Sequence, residues 1–184
     1  MVGEERDDRV LECRYEMAYD EKENKISEKT YYFYDELELS SEVLFAYDDD
    51  GRIIEEKTYY YDGSEAVLSG AVTYKYDNDG NKIEEIHTDS DGNVIQGNRD
   101  TYDGEGREVE RAYYSVDNGD WGIEYKKVFD GDNMVRSTNY SEDDEISSEI
   151  VCVYKSGNIV SETYYGNGGE TAGEISRQII YEYK

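Results

Sequence analysis

Apolar and polar residues alternate with a period of two along most of this chain. Leu11, Cys13, Tyr15, Met17 and Tyr19 fall on one face, with Glu12, Arg14 and Glu16 on the other. The same alternation returns in Val43, Phe45 and Tyr47, in Val72, Tyr74 and Tyr76, in Ile150, Cys152 and Tyr154, and in Ile179, Tyr181 and Tyr183. Thr73 and Lys75 supply the polar face of the third set. Period two with one apolar face predicts half-buried antiparallel strands. The fourth set is weaker, with Asn98, Asp100 and Tyr102 at the corresponding positions.

These strands belong to a repeat. Tyr19-Asp20, Tyr47-Asp48, Tyr76-Asp77, Tyr102-Asp103, Phe129-Asp130 and Tyr154-Lys155 align at steps of 25–29 residues. A fixed period of this size marks a repeat architecture, in which each unit buries its surface against its neighbours. In each unit a strand runs into the "YD", a tight turn follows, and a second strand leaves, as in "RIIEEKTYYY" or "NKIEEIHT". A looser polar loop then leads on: "DGSEAVLSG", "DSDGNVIQGN", "SVDNGDWG", "SEDDEISS", "GNGGETAGE". The expectation is an all-β chain: an antiparallel β-meander repeat of about thirteen strands in a single extended or rolled (spiral) sheet. It forms one domain over residues 1–184, with about six and a half units of roughly 27 residues and no helix of consequence. The register of the outgoing strands stays open. Ile53 or Ile54 shares the face of Tyr47, according to whether the turn holds three residues or four.

Composition sharpens this picture. The 184 residues are only 36% hydrophobic, with a mean hydropathy of -0.95. Such values suggest disorder, but 21 Tyr argue for strands, because Tyr buries a large ring and keeps its hydroxyl wet. Zero Pro and 17 Gly suit strands joined by glycine turns. The 46 acids against 19 bases give a net charge of -27. That charge repels phosphate backbones and anionic lipids, so nucleic acid is not an expected partner. It favours cations, basic partners and solubility, and is also a mark of salt adaptation. No apolar run approaches the roughly 20 residues of a membrane span, and "MVGEERDDRV" holds no signal-peptide core.

The acid-rich "DDDG" at 48–51 reads either as a cation loop or as a turn. Asp at the first position and Gly at the fourth suit a type I turn closed by a left-handed glycine. "DNDG" at 77–80 and "DGEG" at 103–106 read the same way, and "KSGN" at 155–158 keeps the hairpin without the acids. A calcium loop of the EF-hand type needs an acid or amide at its first position. Counting back from Gly80 and Gly92 puts Lys75 and His87 there. The expectation is turn chemistry, with no metal and no cofactor.

"YKYDNDGNKIEE" and "YDDDGRIIEEKTYY" resemble the YD repeats of Rhs-type bacterial proteins and teneurins, with their Y-x-Y-D-x-x-G-[RN] core. The likeness covers most of the chain. The units at 19, 129 and 154 depart from it: Glu23 stands where Gly51 does and Asn24 where Arg52 does, and Asp130 is followed by "GDN". The resemblance implies an exported protein built on a spiralling β-sheet, which in large members encloses a toxic cargo. This chain is too short to close such a shell. Short acidic chains of this kind also resemble secreted or lipid-anchored surface proteins of gut bacteria, so an extracellular or cell-surface location is expected.

Catalytic signals are weak. The single His, His87, has no nucleophile elbow beside it. The pairs Glu55-Glu56 and Glu84-Glu85 point to opposite faces of a strand, and "GNGGE" lacks the Lys of a phosphate loop. The candidate binding residues are aromatic: Tyr59, Tyr60 and Tyr61; Tyr113 and Tyr114; Trp121 in the loop "NGDWGI"; and Tyr164 and Tyr165. Such rings stabilise a sheet by about 0.2–1 kcal/mol per cross-strand pair, or they form a platform for sugars or peptides. Two functions follow. One is a non-catalytic surface binding or scaffold module contacting carbohydrate or protein. The other is a fragment of an Rhs-type toxin-delivery shell. An apolar face about 60 Å wide exceeds what soluble proteins usually expose, so the sheet rolls on itself or pairs as a homodimer. Cys13 and Cys152 lie about ten strand steps apart, which predicts two free, buried thiols.

Overall fold

Thirteen strands follow one another in a sheet whose spatial order is the chain order, β1 to β13. The computed structural model describes residues 13–33 and 35–183. The strands are β1 (Cys13–Tyr19), β2 (Lys25–Phe33), β3 (Leu37–Tyr47), β4 (Ile53–Asp62), β5 (Glu65–Tyr76), β6 (Lys82–Asp89) and β7 (Val94–Tyr102). They continue as β8 (Glu108–Ser115), β9 (Asp120–Asp130), β10 (Asn133–Tyr140), β11 (Ile146–Lys155), β12 (Asn158–Tyr165) and β13 (Ile175–Ile180). The expected all-β antiparallel meander is therefore found. The only helix among the described residues is one turn, α1 (Gly169–Ala172). The strands fall into two compact units. The first holds β1 to β4, most of β5 and residues 87–93; the second holds residues 74–86 and 94–183.

The "YD" turns are built as the sequence suggests. Gly51 N–H donates to the Asp48 carbonyl and Asp48 N–H to the Arg52 carbonyl, with Gly51 at φ 81°. This is a three-residue hairpin loop ending in a left-handed residue. Glu23 takes that place at φ 67°, confirming its alignment with Gly51. Two of the connections expected to be loose share the same geometry. Asp89–Asn93 repeats it, and Ser141–Glu145 does so with Asp144 left-handed at φ 57°. The β4–β5, β9–β10 and β11–β12 connections shrink to two residues between paired ends. Short connections lengthen the strands, so β5 runs for 12 residues.

Each described pairing carries a register shift, and the additional residue sits on the later strand of the pair. In β3–β4, Tyr47 faces Ile53 while Ala46 faces Glu55, so Ile54 is the bulged residue. That settles the register: Ile53 shares the face of Tyr47. Ile26, Val109, Ser147 and Val160 hold the same place in their hairpins. A bulge adds local right-handed twist and bends its strand.

Burial is shallow. Cys152 is the one buried hydrophobic residue among those described, at 5% exposure. Four sequence expectations are corrected by the structure. Cys13 is a free thiol but is exposed, whereas Cys152 is free and buried. Tyr15, Met17 and Tyr19 on the same face are more than half exposed, because β1 ends the strand order and among the described residues has a paired strand on one side only. Leu11 lies outside the described residues. Tyr181 and Tyr183 stand beyond the end of β13, and both are exposed. Trp121 belongs to strand β9, not to a loop.

Candidate aromatic binding surfaces

In the first unit, β4 carries Tyr59 and Tyr61 on one face and Tyr60 on the other. Tyr61 donates its hydroxyl to Glu42 Oε2 at 2.7 Å, and that carboxylate holds the phenol above its ordinary value. Tyr59 faces Glu42 on one side and Leu68 on the other. Tyr60, 56% exposed, stands beside Val67, 53% exposed, on the opposite face. Tyr60 is thus the ring of this triplet presented to solvent, and Tyr61 is committed to the sheet.

The rings of the second unit are arranged by two strand glycines. A Cβ at Gly97 would lie 2.9 Å from the Trp121 ring and 3.0 Å from Ile86. The glycine leaves room for the edge of the Trp121 ring against β7. Tyr114, opposite Trp121 in the ladder, meets it edge-on at 5.6 Å and 66°. The Arg99 guanidinium covers the indole at 3.9 Å and donates through Nε to Glu84 at 2.7 Å. Burial pushes the Glu84 carboxyl up, but hydrogen bonds from Lys75 and Arg99 outweigh it and hold the group below its usual range. Trp121 is therefore half-buried and already stacked on one face.

Tyr113 lies on the other side of the sheet, over Gly122. A Cβ there would sit 3.1 Å from the phenol ring carbon and hydroxyl. Beside it opens a cavity of about 210 Å³ lined by Tyr113, Ser115, Asn118, Asp120, Glu142 and Asp144, with Trp121 and Gly122. Asp144 Oδ1 accepts the Ile123 N–H at 3.1 Å, which ties the Ser141–Glu145 turn to β9. Partial desolvation, and after it Glu142, Asp144, Asp143 and Glu124, push the Tyr113 phenol above its ordinary value. The third cluster, on β12, is looser. Tyr164 and Tyr165 point to opposite faces, Arg177 lies 5.7 Å over Tyr164, and Tyr165 faces Glu149.

Of the expected residues, Tyr114 and Trp121 touch, and Tyr113 and Trp121 line one cavity. The cavity's polar lining, Asn118, Asp120, Glu142 and Asp144, escaped the sequence reading. Gly97 and Gly122 were the available signal, since glycine within a strand often marks the close approach of another group.

The "DxxG" acids are occupied by their own turns. Asp48 Oδ1 accepts the N–H groups of Asp50 and Arg52, and Oδ2 accepts Arg52 Nε at 2.7 Å. Asp77 and Asp89 do the same with Asn81 and Asn93, and Asp103 with Arg107. Bonds from the residue four places on hold these carboxyls below their usual range. They are led by the Asn or Arg side chain, and at Asp48 by the Arg52 N–H.

No family model matches the chain, and no curated protein matches it. Solved structures do. TcdB2-TccC3-Cdc42 matches at a TM-score of 0.51 and 9% identity, over 94% of this chain and 10% of that chain. TcdB2-TccC3 gives the same values. This chain therefore spans about a tenth of that protein's length, and the likeness is one of fold. It supports at that level the YD-repeat resemblance of the sequence. A DUF3836 family protein from Parabacteroides distasonis aligns over 60% of this chain and 95% of that chain, at 17% identity and a TM-score of 0.35. No helix among the described residues is long and apolar enough to cross a membrane.

Proposed function

We propose that the chain is a non-catalytic binding or scaffold module of the cell surface or extracellular space, contacting carbohydrate or protein through its Tyr-rich sheet faces. One observation carries this reading: among the described residues the sheet buries a single hydrophobic side chain, while rings such as Tyr15, Tyr19 and Tyr60 are more than half exposed. Aromatic surface left outside a core is available to a partner. Tyr and Trp suit that role because they offer large rigid area with a polar tip. Arrays of immobilised glycans and peptides probed with the labelled protein test it. Saturable capture by either class supports the reading, and capture of neither overturns it.

A second reading is an enclosing segment of a larger YD-repeat shell. The likeness to TcdB2-TccC3 over 94% of this chain favours it at the level of fold. Sequencing of the surrounding gene separates the two. Many further repeats in one open reading frame support enclosure, and a lone array behind an export signal supports the surface module.

A further inference from the structure

Among the described residues, six places repeat one arrangement, in which a cation lies over a ring and hydrogen-bonds a carboxylate. Arg14 lies 5.9 Å over Tyr31 and bonds Glu16, and Lys82 lies 5.5 Å over Tyr74 and bonds Glu85. Arg99 lies 3.9 Å over Trp121 and bonds Glu84. Arg107 lies 4.3 Å over Phe129 and bonds Asp103. Arg111 lies 5.6 Å over Tyr125 and bonds Asp100. Lys25 lies 4.6 Å over Phe45 and bonds Glu28. The ring's negative face attracts the cation, and the carboxylate sets its position.

Tyr113 has the ring and the carboxylates, but no basic side chain among the described residues lines its cavity. Its hydroxyl makes no hydrogen bond among the described residues. The two connections that border the cavity, "SVDNGD" and "SEDDE", carry six acids and no Lys or Arg. A chain of net charge -27 draws basic partners to such a place. The cavity, about 210 Å³, has room for the end of one long side chain.

We propose that the Tyr113 cleft receives an arginine side chain from a basic segment of a partner polypeptide. Its guanidinium lies over the phenol ring and bonds Glu142 and Asp144. Arginine fits better than lysine because its planar fork stacks on a ring and meets two acceptors at once. Four of the six internal examples use it. The inference rests on the binding-module reading and names the partner chemistry for one of its surfaces.

The test uses the full chain and an acetylated tetra-arginine peptide, titrated calorimetrically at about 0.15 M salt, where long-range attraction is screened. Saturable one-to-one binding is expected. Tyr113→Leu and the double variant Glu142→Gln/Asp144→Asn should each weaken it about tenfold. Asn at 144 keeps the left-handed backbone and the acceptor for Ile123 N–H, so the turn survives. The control Glu36→Gln/Glu65→Gln removes the same charge from exposed sites on the first unit, and it should change affinity less than about twofold. Equal loss in both double variants would reduce the effect to net charge and overturn the proposal. So would binding that survives Tyr113→Leu, or no peptide binding at all. Glycan capture that needs Tyr113, with no peptide binding, overturns this inference and leaves the binding-module reading standing.

Discussion

Asp48 shows how one residue fixes a repeat. Its carboxylate takes two backbone N–H groups and one side-chain donor, so the turn is capped from inside. Little of that carboxylate is left for a metal. Calcium titration of the protein should show no site tighter than about 10 μM, the range of sensor loops; a calorimetric Kd below that contradicts the turn assignment. Gly51 completes the device at φ 81°, with its nearest neighbour, Asn24 Oδ1, 3.8 Å from an added Cβ. The constraint there is backbone strain, not crowding. Gly51→Val should lower stability by about 1–3 kcal/mol, read as a lower urea midpoint at unchanged slope. An unchanged midpoint would mean that the turn is not left-handed.

At the scale of elements, Glu149 on β11 is the most deeply buried acid among the described residues, at 3% exposure. Oε1 accepts Arg136 at 2.7 Å and Thr138 at 3.0 Å, and Oε2 accepts the Glu170 N–H at 2.6 Å. Arg136 also reaches the Glu170 carboxylate. One carboxylate therefore clasps the β12–β13 connection and α1 against β11. Burial pushes its pKa up, but the Glu170 N–H, Arg136 and Thr138 outweigh that and hold it below the usual range. A depressed folded value means that this contribution is complete above the unfolded pKa, about 4.3 for Glu, and is lost as pH falls through the folded value. Glu149→Ala should cost about 2–3 kcal/mol at neutral pH, with faster hydrogen exchange over residues 166–174. Unaltered exchange there would contradict the clasp.

Strand existence was legible in the sequence because the period-two pattern and the Tyr-Asp markers agree. The tightness of "SEDDE" was not, because Ser141 replaces the turn acid and Asp144 replaces the glycine. The bulges were not either, since Ile54 and Val109 look like ordinary strand residues. The clasp and the Tyr113 cavity depend on side chains from connections far apart in sequence, and of the two only the cavity left a sign, Gly122 under the Tyr113 ring.

For the whole molecule, charge and exposure dominate. With 46 acids against 19 bases, like charges repel across the surface, and self-repulsion destabilises a folded chain. Raising the salt from about 0.01 to about 0.2 M shortens the screening length from about 30 Å to under 10 Å, so the thermal midpoint should rise by several degrees. A midpoint that falls would mean that the surface ion pairs, such as Lys126–Glu110 at 2.8 Å, contribute more than the repulsion.

The central claim is that exposed rings serve a partner and not the sheet. Capture on the glycan and peptide arrays by the Tyr15→Ser/Tyr60→Ser protein, which loses two rings that are more than half exposed, tests it most directly. The account predicts about a tenfold loss of signal relative to the unaltered chain, from a protein that keeps its strand content. Undiminished capture, or a variant that no longer folds, would contradict it and make the rings part of the sheet's own support.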